Sequence, residues 1–142
     1  MRHVDTGVLI ACLTQETGND VADAFMRSQG EPLAISSWTE VELLSALGLK
    51  VRTGQLTLAE ANEAVDAYSR LVSPHLHHIS VEDADHRSAL LLLDGWRTTL
   101  RAADGLHLAI AAAHQARVFT FDQGMADAGL ALGVAVELLP LG

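Results

Sequence analysis

Short apolar runs alternate with amphipathic stretches along the whole chain. His3-Val4 is the first run, and it passes through Asp5, Thr6 and Gly7 into apolar residues. It reads as a short buried strand entering a helix, with Asp5 at the strand's carboxyl end. Asn19 or Asp20 caps a helix through Arg27 that Gly30 ends, and Leu33 to Ile35 reads as a second strand. Ser37-Trp38-Thr39-Glu40 has the pattern of a capping box and opens a helix to about Lys50. Thr57-Leu58-Ala59-Glu60 repeats the pattern and starts a helix that stops near Ser73-Pro74, giving a helical hairpin around Gly54. His75 to Ile79 forms a third strand. Ser80 with Asp83 opens a leucine-rich helix through Leu93, closed by Gly95, and an alanine-rich helix covers Ala102 to Gln115. The run Val118 to Phe121 is a strand ending at Asp122, followed by a short helix to Leu132 and a strand from Val134 to Leu138.

Strands that are continuously apolar rather than alternating are buried on both faces, as in a parallel sheet covered by helices. The pattern predicts a three-layer α/β fold, with residues 1–142 forming a single domain without linker or repeat. In such open sheets the functional crevice lies beyond the carboxyl ends of the strands. Asp5 and Asp122 both fall at such ends.

Composition narrows the class. With 49% apolar and 19% charged residues, the chain resembles an ordinary globular domain. No apolar stretch approaches the roughly 20 residues that span a bilayer, and the first residues lack the pattern of a signal peptide. The cytoplasm is the expected location. Cys12 is the only cysteine, which excludes an intrachain disulfide and a thiolate metal cage; its apolar neighbours predict a packed thiol. The formal net charge of -9, with Lys50 the only lysine, argues against a broad basic surface for nucleic acid. Cations held in a carboxylate cluster reverse the local sign, so a phosphodiester substrate stays open. A basic protein partner is expected more readily than a basic groove.

Four acids can meet at the mouth of such a sheet. Asp5 follows the first strand, Asp122 follows the fourth, and Asp104 starts the alanine-rich helix. Glu42, in the first turns of the helix after the second strand, can reach the same crevice. Carboxylates confined together repel one another and call for hard cations with oxygen preference, Mg²⁺ or Mn²⁺. Such an ion acidifies bound water and stabilises a departing oxygen, so phosphodiester hydrolysis is the chemistry best served. Each acid alone also has a structural reading as a helix cap or first-turn charge.

The matching segments are Val4-Asp5-Thr6 with Val8-Leu9, Thr39-Glu40-Val41-Glu42-Leu43 with Ser45-Ala46-Leu47, Leu100 to Ala109 around Asp104, and Thr120-Phe121-Asp122. In their order and spacing the chain resembles the PIN-domain ribonucleases, and among them the VapC toxins of bacterial toxin-antitoxin pairs. The resemblance implies a Rossmann-like parallel sheet of about five strands in the order 3-2-1-4-5, and endonucleolytic RNA cleavage dependent on Mg²⁺ or Mn²⁺. It makes Asp5, Asp104 and Asp122 metal ligands, with Glu42 acting directly or through bound water. Thr6 and Thr120 become hydroxyls that orient the carboxylates. It also implies a homodimer and a VapB-like antitoxin, forming a toxin-antitoxin hetero-oligomer, with tRNA among the candidate substrates. Gly7 departs from the Ser or Asn common in the family. Glu40 competes with Glu42, but the two lie about 200° apart around a helix. The family's Glu-Leu pairing favours Glu42, and a capping box with Ser37 gives Glu40 a structural role.

Other residues carry less. His75, His77 and His78 read as a solvated segment rather than a metal tract. His107, three residues after Asp104, reads as packed or dimer-facing, with an approach to the scissile phosphate as the sharper option. Arg101, Arg97, Arg52 and Lys50 are candidate phosphate-positioning cations. Asp85, Asp94 and Asp127 are expected to face water, and Trp38 and Trp96 to pack in the core or an interface. Val21, Phe25, Val65 and Tyr68 are candidates for a groove that takes an amphipathic antitoxin helix. The competing functional reading is a catalytically silent PIN-like binding module. A response-regulator-like receiver is disfavoured because Lys50 lies in the wrong place and the acids are dispersed.

Overall fold

The computed structural model describes residues 1–141. Strand β1 (Arg2–Val4) lies at the centre of the sheet, and β2 (Leu33–Ser36) and β4 (Arg117–Thr120) pair with it on either side. β3 (His77–Ile79) and β5 (Val136–Leu138) complete the edges, giving the order β3-β2-β1-β4-β5 with every pairing parallel. This is the expected order. Helices α1 (Thr6–Leu13), α2 (Asn19–Arg27), α3 (Ser37–Arg52) and α4 (Leu58–Ala67) precede β3, and α5 (Asp83–Leu93), α6 (Ala102–Ala113) and α7 (Gln123–Leu132) follow it. A π-helical turn, Tyr68–Val72, continues α4 towards β3.

The register sorts side chains onto the two faces. His3 pairs with Ala34 and with Val118, so these three share one face. Ala34 packs there with Ile79, Ala89, Leu106 and Ile110, and Val118 with Leu108 and Met125, under α5, α6 and α7. Val4 and Ile35 turn to the other face, into a larger cluster with Val8, Leu9, Leu43 and Leu47. Helix α6 is buried without interruption from Gly105 to Ala111. Its continuous Leu-His-Leu-Ala-Ile-Ala run is thus the signature of an internal helix rather than a one-sided one.

Several local expectations shift. Ser36, not Ser37, caps α3, and its capping box closes with Thr39. Glu40 is therefore released from the cap and accepts a hydrogen bond from the Tyr68 hydroxyl at 2.8 Å. Glu82 and Asp85 form the box of α5 in place of Ser80 and Asp83; Asp85, expected to face water, is buried with its carboxylate on the Glu82 amide. The box at Thr57 and Glu60 is as read. Gly18, with φ 92°, caps α2, while the Asn19 side chain ties down the carbonyls of Ala11 and Thr14. Trp96 is 90% exposed on a left-handed backbone, so the core option is excluded for it, whereas Trp38 is partly buried. No helix among the described residues is long and apolar enough to cross a membrane.

Candidate active site

Parallel pairing carries Val4 beside Phe119, and the chain leaves both strands on the same side of the sheet. Asp5 is the N-cap of α1: its Oδ1 accepts from the Thr6 amide at 2.9 Å. Its Oδ2 accepts from the Thr120 hydroxyl at 2.7 Å. Thr120 Oγ1 in turn accepts from the Asp122 amide at 3.0 Å, so one buried hydroxyl links the two strand-end acids. Asp122 caps α7, its Oδ1 accepting from the amides of Gly124 (2.8 Å) and Met125 (3.4 Å). These caps satisfy amides that have no partner within their own helices.

Glu42 and Asp104 come from helices on opposite faces. Thr6 Oγ1 donates to Glu42 Oε1 at 2.7 Å, and Nε2 of His107 contacts the same oxygen. Asp104 lies in the first turn of α6, where the helix dipole favours a carboxylate. Its pKa is nevertheless pushed up to about 6, first by burial and then by the charges of Asp5, Asp122 and Glu42, with His107 opposing. Asp5 is also raised, by burial first. For Glu42, burial acts upward but the bond and charge of His107 and the Thr6 bond outweigh it, so its pKa is lowered. His107 is raised in turn: its burial is overcome by the bond to Glu42 and the charges of Asp5, Glu42 and Asp104. The two shifts agree in direction, each partner favouring the charged form of the other.

The structure thus brings Asp5, Glu42 and Asp122 within electrostatic reach of Asp104. It also gives Thr6 and Thr120 direct bonds to the carboxylates. Among the described residues, no three acidic, histidine or cysteine side chains enclose a cation by themselves. Mg²⁺ and Mn²⁺ are hard ions that take carboxylate and water oxygens together, so bound water can complete what the side chains do not enclose. All four acids offer hard oxygen donors, and His107 only partly offsets the charge crowding at Asp104. The donor set fits.

The remaining candidates separate. His107 is fully buried and turned into the fold, which excludes contact with a scissile phosphate. His75, His77 and His78 are exposed, as expected. Lys50 is tied to Glu16 at 2.6 Å, so of the four candidate cations Arg52, Arg97 and Arg101 alone are exposed without an ion pair among the described residues. The loop carrying Arg97 and Arg101 borders the site: a Cβ on Gly124 would meet Thr99 Oγ1 at 3.7 Å and Asp122 Oδ1 at 3.2 Å. His3 carried no signal in the sequence beyond its place in an apolar run. It is buried, 3.3 Å from His107, and its own burial and the neighbouring His107 and His114 hold its pKa down to about 3.

Comparison with solved structures extends over the whole fold. FitAcB from Neisseria gonorrhoeae superposes with a TM-score of 0.76 at 22% identity, covering 96% of each chain. VapC20 from Mycobacterium tuberculosis, a toxin that cleaves the sarcin-ricin loop, gives 0.74 at 19% identity, over 99% of this chain and 100% of that one. VapBC2 from Rickettsia felis, bound to a DNA fragment from its promoter, gives 0.69 at 13% identity and covers 98% of each chain. No curated protein is significantly similar in sequence. The PIN domain model matches residues 3–130, spanning the strands and helices that carry all four acids, and the chain therefore belongs to the PIN domain family.

Proposed function

We propose that the chain is a metal-dependent endoribonuclease and the toxin of a toxin-antitoxin pair, acting in the cytoplasm through one domain. The observation that carries this reading is the gathering of Asp5, Glu42 and Asp122 around Asp104 in a crevice at the carboxyl ends of parallel strands, where burial first and then those charges raise the Asp104 carboxyl. Asp5, Asp104 and Asp122 hold Mg²⁺ or Mn²⁺. When bound, the cation acidifies water and offsets charge on the phosphodiester. Thr6 and Thr120 keep the carboxylates of Glu42 and Asp5 oriented, and Glu42 aligns the attacking water through its free oxygen. Arg97 and Arg101 contact phosphates flanking the scissile bond. Structured RNA is the substrate class, in keeping with the sarcin-ricin loop cut by VapC20.

A groove of about 550 Å³ between α1, α2 and the turn that follows α4 is the proposed seat of an antitoxin helix. Met26, Leu71 and Val72 line it, with Asp23 and Arg27 at hand for polar contacts. Phe25 and Tyr68 pack in the core and do not line it. The exposed Val41 and Leu44 of α3 form an apolar face for a second copy. The decisive experiment incubates purified protein with structured RNA and Mg²⁺ or Mn²⁺. Wild type should give discrete cuts, and Asp5→Asn should give none while keeping the fold. Equal, metal-independent cleavage by both would sink the mechanism.

A further inference from the structure

Two histidines stand behind the acidic crevice. His107 lies on α6 one turn after Asp104, and His3 lies on β1 two residues before Asp5. Both are fully buried. Nε2 of His107 contacts Oε1 of Glu42 and is 3.4 Å from Thr6 Oγ1; its Nδ1 is 3.3 Å from Nε2 of His3, whose own Nδ1 meets no partner. The rings meet edge to face, with centroids 5.5 Å apart.

We propose that His107, backed by His3, is a positioning residue for Glu42: it locks Oε1 inside the fold so that Oε2 alone is presented to the crevice and its water. The inference rests on the nuclease reading above and deepens it. Glu42 is on α3 and its side chain is 22% exposed. Left to itself, a glutamate on a helix samples many rotamers, and one hydroxyl from Thr6 does not fix it. With two donors on Oε1, the carboxylate is held at one end, and Oε2 accepts no hydrogen bond among the described residues.

The donation does not depend on the charge of His107. If His107 is neutral, Nε2–H points to Glu42 and the bare Nδ1 accepts from Nε2–H of His3, leaving an unfilled lone pair at His3 Nδ1. If His107 is cationic, the inner bond reverses and Nε2–H still donates to Glu42. The in-register neighbours of His3 are Ala34 and Val118, both fully buried, so its ring sits in an apolar slot. A leucine there would fill space without an orphaned polar atom. Packing alone does not account for two imidazoles in series that end on a carboxylate; positioning does.

The test uses the full chain. In metal-free protein, ¹⁵N-edited NMR of the imidazoles should show a downfield, solvent-protected Nε2–H proton from His107. That resonance should move upfield in Glu42→Gln. Calorimetric titration with Mn²⁺ should show affinity falling about 10- to 100-fold in His107→Phe. His107→Gln should recover most of the loss, because its amide also donates. The Glu42→Gln, His107→Phe double variant should lose no more than Glu42→Gln alone. Losses that multiply, a folded His107→Phe that binds Mn²⁺ and cuts RNA like wild type, or a resonance unmoved by Glu42→Gln would each overturn the proposal. If His107→Phe does not fold, the NMR measurement and His107→Gln decide it. Failure of the nuclease reading has a different mark: wild type would leave structured RNA uncut, or Asp5→Asn would cut it equally, whatever the resonance shows.

Discussion

Replacing Asp104 by asparagine should stabilise the metal-free protein while abolishing its activity. The Asp104 carboxyl rises from 3.8 to about 6, a shift of about two units at 1.36 kcal/mol each, so keeping it ionised costs about 3 kcal/mol. Asparagine removes that cost but forfeits the attraction of a charge to the first turn of α6, about 0.5 kcal/mol. After allowance for solvent screening of a half-buried group, the expected gain is about 2 kcal/mol. Its pH dependence follows from linkage. Below pH 3.8 the carboxyl holds its proton in folded and unfolded chains alike, and the cost is absent. Between 3.8 and about 6 the folded chain keeps a proton that the unfolded chain releases, so wild-type stability falls as pH rises. Above that range the full cost is present. Urea denaturation with EDTA, at pH 4 and pH 7.5, should show the variants matched at the lower pH and Asp104→Asn ahead at the higher. Millimolar Mg²⁺ should then raise wild type selectively and close the gap. An Asp104→Asn protein no more stable than wild type at pH 7.5, or equally ahead at both values, would refute the idea that the four carboxylates press on one another.

Thr120→Val removes the donor to Asp5 Oδ2 and the acceptor for the Asp122 amide. It should cost about 1–3 kcal/mol in urea denaturation and lower Mn²⁺ affinity by about 10- to 100-fold in calorimetry. Glu40→Gln should leave RNA cleavage within about 2-fold of wild type, because Glu40 is occupied by the Tyr68 hydroxyl, whereas Glu42→Gln should reduce it at least tenfold. Gly129→Ala would place a Cβ 2.4 Å from Val136 Cγ2 and 2.9 Å from the Val134 carbonyl. It should destabilise by about 1–3 kcal/mol, measured by thermal unfolding, with the metal site intact.

The parallel sheet and the strand-end positions of Asp5 and Asp122 were legible because uninterrupted apolar runs and the acids that end them are local signals. Helix starts were read to within a residue or two, and the miss at Ser36 is instructive. Ser36 and Ser37 are identical in type, and only the backbone turn decides which hydroxyl meets the Thr39 amide. Asp85 was misread for the opposite reason: an acid in an amphipathic helix looks solvated until its own cap folds over it. The His3–His107–Glu42 chain was out of reach. Its members are separated by up to 104 positions, and a histidine in an apolar run has the same appearance whether it fills space or holds a carboxylate. Trp96 was equally opaque, since its exposure depends on two successive left-handed residues at Gly95 and Trp96.

The two oxygens of Asp122 have different employers. Oδ1 closes the amides at the start of α7 and so belongs to the fold, while Oδ2 makes no hydrogen bond among the described residues. Asparagine keeps an oxygen in the first position and places an amide nitrogen in the second, and asparagine caps helices as well as aspartate does. One nucleotide change converts an aspartate codon to an asparagine codon. On the proposed metal-site role of Asp122, such a change should disarm the crevice while leaving α7, the sheet and the groove between α1 and α2 in place. On the toxin reading proposed above, a harmless protein that still captures its antitoxin is therefore one mutational step away, and selection for relief from such a toxin has that step within easy reach.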